Sequence, residues 1–220
     1  MFDNEKLMAA LTAYKQYFPL RWKDEKYKWE AIQHFQDNWD IEAENFQDMF
    51  VKATDKTLNL LASMNNYPRV MIKRFAEEEP ETVRDMFRVL YDETRNLDER
   101  VENFKMVAED LRIRYDDGTW KHHYQNANAI STYLWLRYPD KYFVYKYSEV
   151  RTVAKELDSD FVPKKGSAAA NIVRGFKFYN EIREVIAEDD ELDTMLKNAL
   201  EQNCYPDPMK TTMTADVGFL

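Results

Sequence analysis

The sequence contains one cysteine, Cys204, so the chain has no second thiol with which to form an internal disulfide. Zinc sites built from several cysteines are excluded for the same reason. Structural disulfides belong to oxidising compartments, and a chain without them fits a reducing one. We therefore expect a cytoplasmic protein.

Long apolar runs are also missing. The amino-terminal residues lack the basic start and the apolar core of a signal peptide. A membrane-spanning helix takes roughly 20 apolar residues in succession, and no stretch of the sequence approaches that length. We therefore expect no membrane partner.

Glycine and proline are scarce, with 4 and 7 residues in a chain of 220. A many-stranded sandwich or barrel needs more tight turns than these residues supply. Apolar residues instead recur at steps of three and four, as at Leu7, Leu11, Tyr14 and Phe18, which is the helical period. We predict a mainly α protein, a multi-helix globular domain with one or two short β-strands.

Local signals give more specific predictions. Pro19 should end the first helix, because proline lacks the backbone donor that a helix interior needs. A later helix is predicted over residues 120–138, and Ser148 is predicted to cap another. The two short strands are predicted over residues 141–147 and 211–219, where they could pair with each other.

Residues 1–160 are predicted to form a helical domain, with residues 161–220 as a second helical lobe and tail packed on it. The clearest loop, residues 162–171, reads VPKKGSAAAN and is the candidate hinge. The chain ends abruptly on apolar residues, which suggests a fragment of a longer protein.

The net charge of −9 disfavours phosphate binding by the surface as a whole. Between Arg112 and Arg151, however, seven basic residues outnumber four acidic ones, and aromatic residues lie among them. Cations bind phosphates and aromatic rings stack on bases, at about 1–3 kcal/mol per base. The candidate nucleic-acid-binding residues are Trp120, His123, Arg137, Lys141, Tyr142, Lys146, Lys164 and Lys165. The alternative is that the aromatic residues are core and the lysines a solvated rim, and exposure of Tyr142 and Tyr145 decides between the two.

No catalytic or metal-binding residue is predicted. His122 and His123 are neighbours, which point about 100° apart on a helix, so a regular helix cannot turn both toward one metal ion. The run Lys164-Lys165-Gly166-Ser167 lacks the phosphate-loop pattern GxxxxGK[ST]. Two readings of this run remain open, a plain anion contact at a helix start and a solvated linker.

Three segments resemble the amino-terminal region of bacterial McrB-like proteins, the AAA+ NTPase subunits of modification-dependent (type IV) restriction systems. They read YKWEAIQHFQDNWDIEAENFQDMF, NLLASMNNYPRVMIKRFAEEEPETVRDMF and HYQNANAISTYLWLRYPDKYFVYK. The resemblance implies that such a region recognises the target, that a carboxy-terminal motor binds GTP or ATP with magnesium, and that a partner subunit supplies the nuclease. The motor's Walker motifs are absent from this chain and would lie beyond Leu220.

The implied role is a recognition or adaptor module in phage defence, without catalysis or a cofactor in this fragment. Its implied partners are DNA, including a modified base, the parent's own NTPase domain and a nuclease subunit. A protein-interaction or sensing module without DNA contact remains the alternative.

Overall fold

Helices account for most of the residues in the computed structural model, which describes residues 1–62, 66–166 and 169–218. These ranges contain eleven α-helices and one 3-10 helix, so the mainly α prediction is confirmed. The α-helices are α1 (Asn4–Glu25), α2 (Tyr27–Asn38), α3 (Phe46–Ala53), α4 (Pro68–Glu78), α5 (Pro80–Tyr91), α6 (Leu97–Tyr115), α7 (Ala127–Arg137), α8 (Tyr147–Glu156), α9 (Ala169–Ala187), α10 (Asp190–Ala199) and α11 (Thr211–Val217). The 3-10 helix, Asp55–Leu60, lies between α3 and α4.

Neither predicted strand is present among the described residues. The segment before α8 is extended, but the backbone N–H of Tyr145 bonds to Oγ of Ser131 at 2.8 Å instead of to a neighbouring strand. The tail forms α11, in which all seven residues are buried. Its threonines are compatible with a helix because Oγ1 of Thr214 bonds to the carbonyl of Lys210, one turn back. Residue 219 of the predicted strand lies outside the described residues.

Helix boundaries depart from the predictions at three places. Helix α1 continues through Pro19, whose side chain is exposed, so the carbonyl that lacks its usual N–H partner can bond to water. Helix α7 begins seven residues later than predicted, where Oδ1 of Asn126 accepts the N–H of Ala129 at 3.0 Å. Ser148 lies inside α8 and does not cap it.

The core is one continuous cluster of buried side chains with a large aromatic share. Its members come from both predicted segments, for example Trp29 and Tyr133 before residue 160 and Tyr179 and Leu192 after it. The division into two lobes stays a prediction. Residues 167 and 168 of the candidate hinge lie outside the described residues.

Buried polar groups hold α11 in this core. The two carboxylate oxygens of Asp207 accept the N–H groups of Thr212 and Met213, at 3.1 and 2.9 Å, at the start of the helix. Near its end, Asp216 accepts hydrogen bonds from Tyr14 at 2.8 Å and from Lys28 at 2.5 Å. In the described parts of the chain, no helix is long and apolar enough to span a membrane.

Candidate functional site

The aromatic side chains expected to stack on bases lie in the core. Tyr142 is 5% exposed and Tyr145 1% exposed. The hydroxyl of Tyr142 accepts a hydrogen bond from Arg100 and donates one to Glu93, both at 2.8 Å. Both of these hydrogen bonds are made to residues of the same chain. The burial of Tyr142 contradicts the expectation that its ring contacts an exposed base.

Lys141 and Lys146 are exposed, but each is neutralised by a carboxylate. Nζ of Lys141 lies 2.5 Å from Oε1 of Glu93. Burial acts to raise the pKa of Glu93, but hydrogen bonds from Lys141 and Tyr142 bring it below its ordinary value. Lys146 forms an ion pair with Glu149, whose pKa is raised by burial. Neither lysine brings an uncompensated positive charge to the surface.

His123 lies in a groove beside α6, which we call the His123 groove and which also includes Lys121, His122 and Tyr124. Trp120 comes directly before these residues in the chain and does not line the groove. Nδ1 of His123 accepts the N–H of Gln125 at 2.9 Å, and burial lowers the pKa of the histidine. The ring of Trp120 packs edge-on against Phe75, with ring centroids 6.0 Å apart. The segment is irregular instead of helical, but the two histidines still differ in burial: His122 is exposed and His123 half-buried.

The backbone of this groove is held in an uncommon conformation. Tyr124 has a φ of 57°, in the left-handed region that non-glycine residues seldom occupy. The next residue, Gln125, is fully buried and its amide nitrogen donates to the carbonyl of Pro68 at 3.0 Å. Oε1 of Gln125 accepts the hydroxyl of Tyr133 at 3.1 Å. The buried glutamine therefore anchors the strained turn to the core, which fixes the positions of the neighbouring histidines.

Lys164 and Lys165 are exposed in the loop before α9. The predicted anion contact at the start of this helix is already made within the chain, because Oε1 of Glu102 accepts the N–H of Ala169 at 3.1 Å. An external anion would have to displace that carboxylate. The lysines remain available for a ligand that approaches from the solvent side.

Two further cations near this loop were missed from the sequence. The guanidinium of Arg174 lies over the ring of Phe161, 5.4 Å from its centroid, and Lys177 lines the same groove. The loop folds back on α9, since Nδ2 of Asn171 donates to the carbonyl of Gly166 at 3.2 Å. We call Lys164, Lys165, Arg174 and Lys177 the α9 basic patch. Its sequence signal is the spacing of Arg174 and Lys177, three residues apart on an exposed helix face.

Arg137 lies apart from these residues, at the end of α7. Its guanidinium stacks on the ring of Tyr138, 5.1 Å from the centroid, in a groove lined also by Trp39 and Arg88. The eight predicted residues are thus not brought together in one site. They lie in or directly before the His123 groove, in the α9 basic patch, around Lys141 and Lys146, and in the groove of Arg137.

Comparisons with protein families, with curated proteins and with solved structures found no match for this chain. The resemblance to McrB-like proteins therefore stays a prediction. Among the described residues, no group of three or more histidine, cysteine, aspartate or glutamate side chains is placed to hold a metal ion.

Proposed function

We propose that this chain is a recognition module that binds nucleic acid through the α9 basic patch and is not itself an enzyme. The observation that carries the proposal is the charge state of the patch. Within the described residues, none of its four cations forms an ion pair, whereas Lys141, Lys146 and Arg112 each have a carboxylate partner. The nearby Asp160 and Glu181 pair with the terminal amine of Met1 at 2.8 and 3.6 Å.

A local patch can bind phosphate although the net charge is −9. At physiological salt, exposed charges farther apart than about 8 Å are largely screened from one another, so the nearest cations dominate. Four phosphate contacts predict a slope of log affinity against log salt of about −3.6 for duplex DNA and about −2.8 for a single strand.

The His123 groove supplies a second contact surface. Helix α6 connects the two, because Glu102 contacts the start of α9 while Arg112 donates to the carbonyl of Trp120 at 3.3 Å. Ten residues of helix separate Glu102 from Arg112, about 15 Å. That length matches roughly four nucleotides of one strand at about 3.4 Å each. Trp120 and His123 keep their proposed nucleic-acid role in this arrangement.

The test is a comparison of two variants with the same change in charge. K164Q/K165Q/R174Q/K177Q removes the α9 basic patch, and K23Q/K52Q/K56Q/K73Q removes four exposed cations elsewhere. Binding to fluorescent DNA, with and without methylated cytosine, is measured by anisotropy over a series of salt concentrations. We expect the first variant to lose most of its affinity and of its salt slope, and the control to keep both.

Two results would refute the proposal. One is that the wild-type chain binds neither DNA at low salt. The other is an equal loss of affinity in both variants, because this would show that the net charge matters and the patch does not.

The cellular role that we propose is target recognition for a McrB-like restriction NTPase in the cytoplasm. Its support is the resemblance of the three segments quoted above, which also implies GTP or ATP with magnesium in the motor domain. Affinity purification from the native cell tests it directly. Recovery of the NTPase together with a nuclease subunit is the expected result, and a stable complex containing neither would contradict it.

A protein-interaction module is the second candidate, and one observation favours it. Met106 and Ile113 are 63% and 65% exposed and lie two turns apart on the same face of α6. An M106S/I113S variant separates the candidates. Loss of a protein partner with unchanged DNA affinity would favour this second function.

A further inference from the structure

The groove at the end of α7 contains a positive charge that has no counterion in the described part of the chain. Arg137 is half-buried, and within the described residues its guanidinium makes no hydrogen bond and no ion pair. Partial removal of a charge from water is unfavourable unless another charge or hydrogen bond compensates for it. Its one specific contact is the stacking on Tyr138. That contact covers a face of the guanidinium and leaves the N–H groups at its edge available.

Packing fixes the position of this guanidinium. The hydroxyl of Tyr138 donates to the carbonyl of Tyr91 at 2.8 Å, and the two rings meet edge to face with centroids 6.0 Å apart. Tyr91 is 8% exposed. Arg137 is therefore supported by a ring that is itself held by the core, so binding an anion would cost little further ordering.

The acidic residues of the groove are engaged elsewhere. Oδ1 of Asp40 accepts the N–H of Glu42 at 2.9 Å. The carboxylate of Asp92 accepts hydrogen bonds from Thr94 and from Arg95, and these bonds hold its pKa below the ordinary value. Neither carboxylate forms an ion pair with Arg137.

The remaining walls of the groove are apolar or basic. Trp39 and Ile41 line one side, and Arg88 lies nearby with exposed ion pairs to Glu42 and Asp85. Exposed pairs of this kind contribute about 1 kcal/mol or less, so Arg88 can reorient toward another anion at small cost. The groove encloses about 370 Å³, the size of a small organic molecule.

We infer that this groove binds a small molecule with a carboxylate on a flat apolar body. The guanidinium edge of Arg137 binds the carboxylate through two parallel hydrogen bonds, and the flat body lies against Trp39 and Ile41. This inference does not rest on the proposed nucleic-acid function, because the α9 basic patch takes no part in it.

Benzoate is the probe, and benzamide is its neutral control of nearly the same shape. Titration of the isotope-labelled chain is followed by NMR, with the indole signal of Trp39 assigned from a W39F variant. We expect saturable shifts with benzoate centred on Trp39, and binding of benzamide at least about tenfold weaker.

Variants complete the test. R137Q should bind benzoate at least about tenfold more weakly, and R137K should fall between, because lysine keeps the charge but loses the paired donors. Y138F keeps the ring under the guanidinium but loses its hydrogen bond to Tyr91, so it should weaken benzoate binding less than R137Q does. R137Q breaks no ion pair, and its unchanged thermal melt would establish that it folds.

The inference is overturned by any of three results. These are absence of saturable binding of benzoate, equal binding of benzoate and benzamide, and unchanged benzoate affinity in folded R137Q.

Discussion

Replacing Gly175 by alanine tests the tightest packing in the structure, and the expected sign is opposite to the usual one. In a helix interior, alanine is favoured over glycine by about 1 kcal/mol. At Gly175, in the middle of α9, an added Cβ would lie less than 3.0 Å from Cδ2 and Cε2 of Tyr145. Carbon atoms prefer separations of about 3.5–4.0 Å. The Tyr145 ring is 1% exposed and is therefore enclosed by other side chains.

Overpacking of this kind typically costs about 1–3 kcal/mol, and more when the neighbours are rigid. The added Cβ would lie far inside the normal contact distance of an enclosed ring. We therefore expect an overpacking cost in the upper part of that range, which exceeds the gain in helix propensity. G175A should then be destabilised by about 1–2 kcal/mol. In a chain of this length each kcal/mol lowers Tm by about 2–4 °C.

Urea unfolding of G175A, Y145L and the double variant measures the effect. In the Y145L background the added methyl group no longer meets the ring, so G175A should become neutral or stabilising. K177A, at an exposed position on the same helix, is the control and should change stability by less than about 0.5 kcal/mol. A G175A variant more stable than the wild type, or one equally destabilised in both backgrounds, would refute the packing argument.

Two other predictions concern the buried acids that hold α11. Burial raises the pKa of Asp207 to about 7 from its ordinary 3.8, so the folded state favours the protonated form. The resulting stability is complete below about pH 4 and is lost as the pH rises through 7. Urea unfolding at pH 5 and pH 8 should show that the wild type loses about 3 kcal/mol of unfolding free energy over this range and that D207N does not. Equal losses in the two proteins would contradict this. D216A should lower the free energy of unfolding by about 3 kcal/mol, because it removes the carboxylate that lies 2.5 Å from the ammonium of Lys28, a residue only 4% exposed. A loss below about 1 kcal/mol would contradict this and would show that Glu25, the other carboxylate paired with Lys28, compensates.

Helical periodicity predicted buried residues correctly, although the local boundary signals at Pro19 and Ser148 were wrong. The periodic apolar residues of α1 predicted which face is buried, and Leu7, Leu11, Tyr14 and Phe18 are all in the core. These predictions need only the chain within a turn or two.

Tertiary contacts decided the candidate sites. Lys141 reads as a free cation in the sequence, but Glu93, 48 residues earlier, neutralises it. The start of α9 reads as a place for an anion, but Glu102, 67 residues earlier, already occupies it. Neither pairing leaves a trace in the local pattern, because Glu93 in its turn and Glu102 in α6 do not differ from the acidic residues around them.

The sequence by itself determined the class of fold, through few turn-forming residues and apolar side chains at helical spacing. It could not determine whether the aromatic residues around residue 142 face water, because the same rings suit a core and a binding surface. Only the tertiary structure placed Tyr142 and Tyr145 inside, brought Arg174 and Lys177 into one groove with Phe161, and left Arg137 without a counterion among the described residues. Burial and charge pairing depend on groups far apart in the chain, and these quantities decide which polar residues remain available to a ligand.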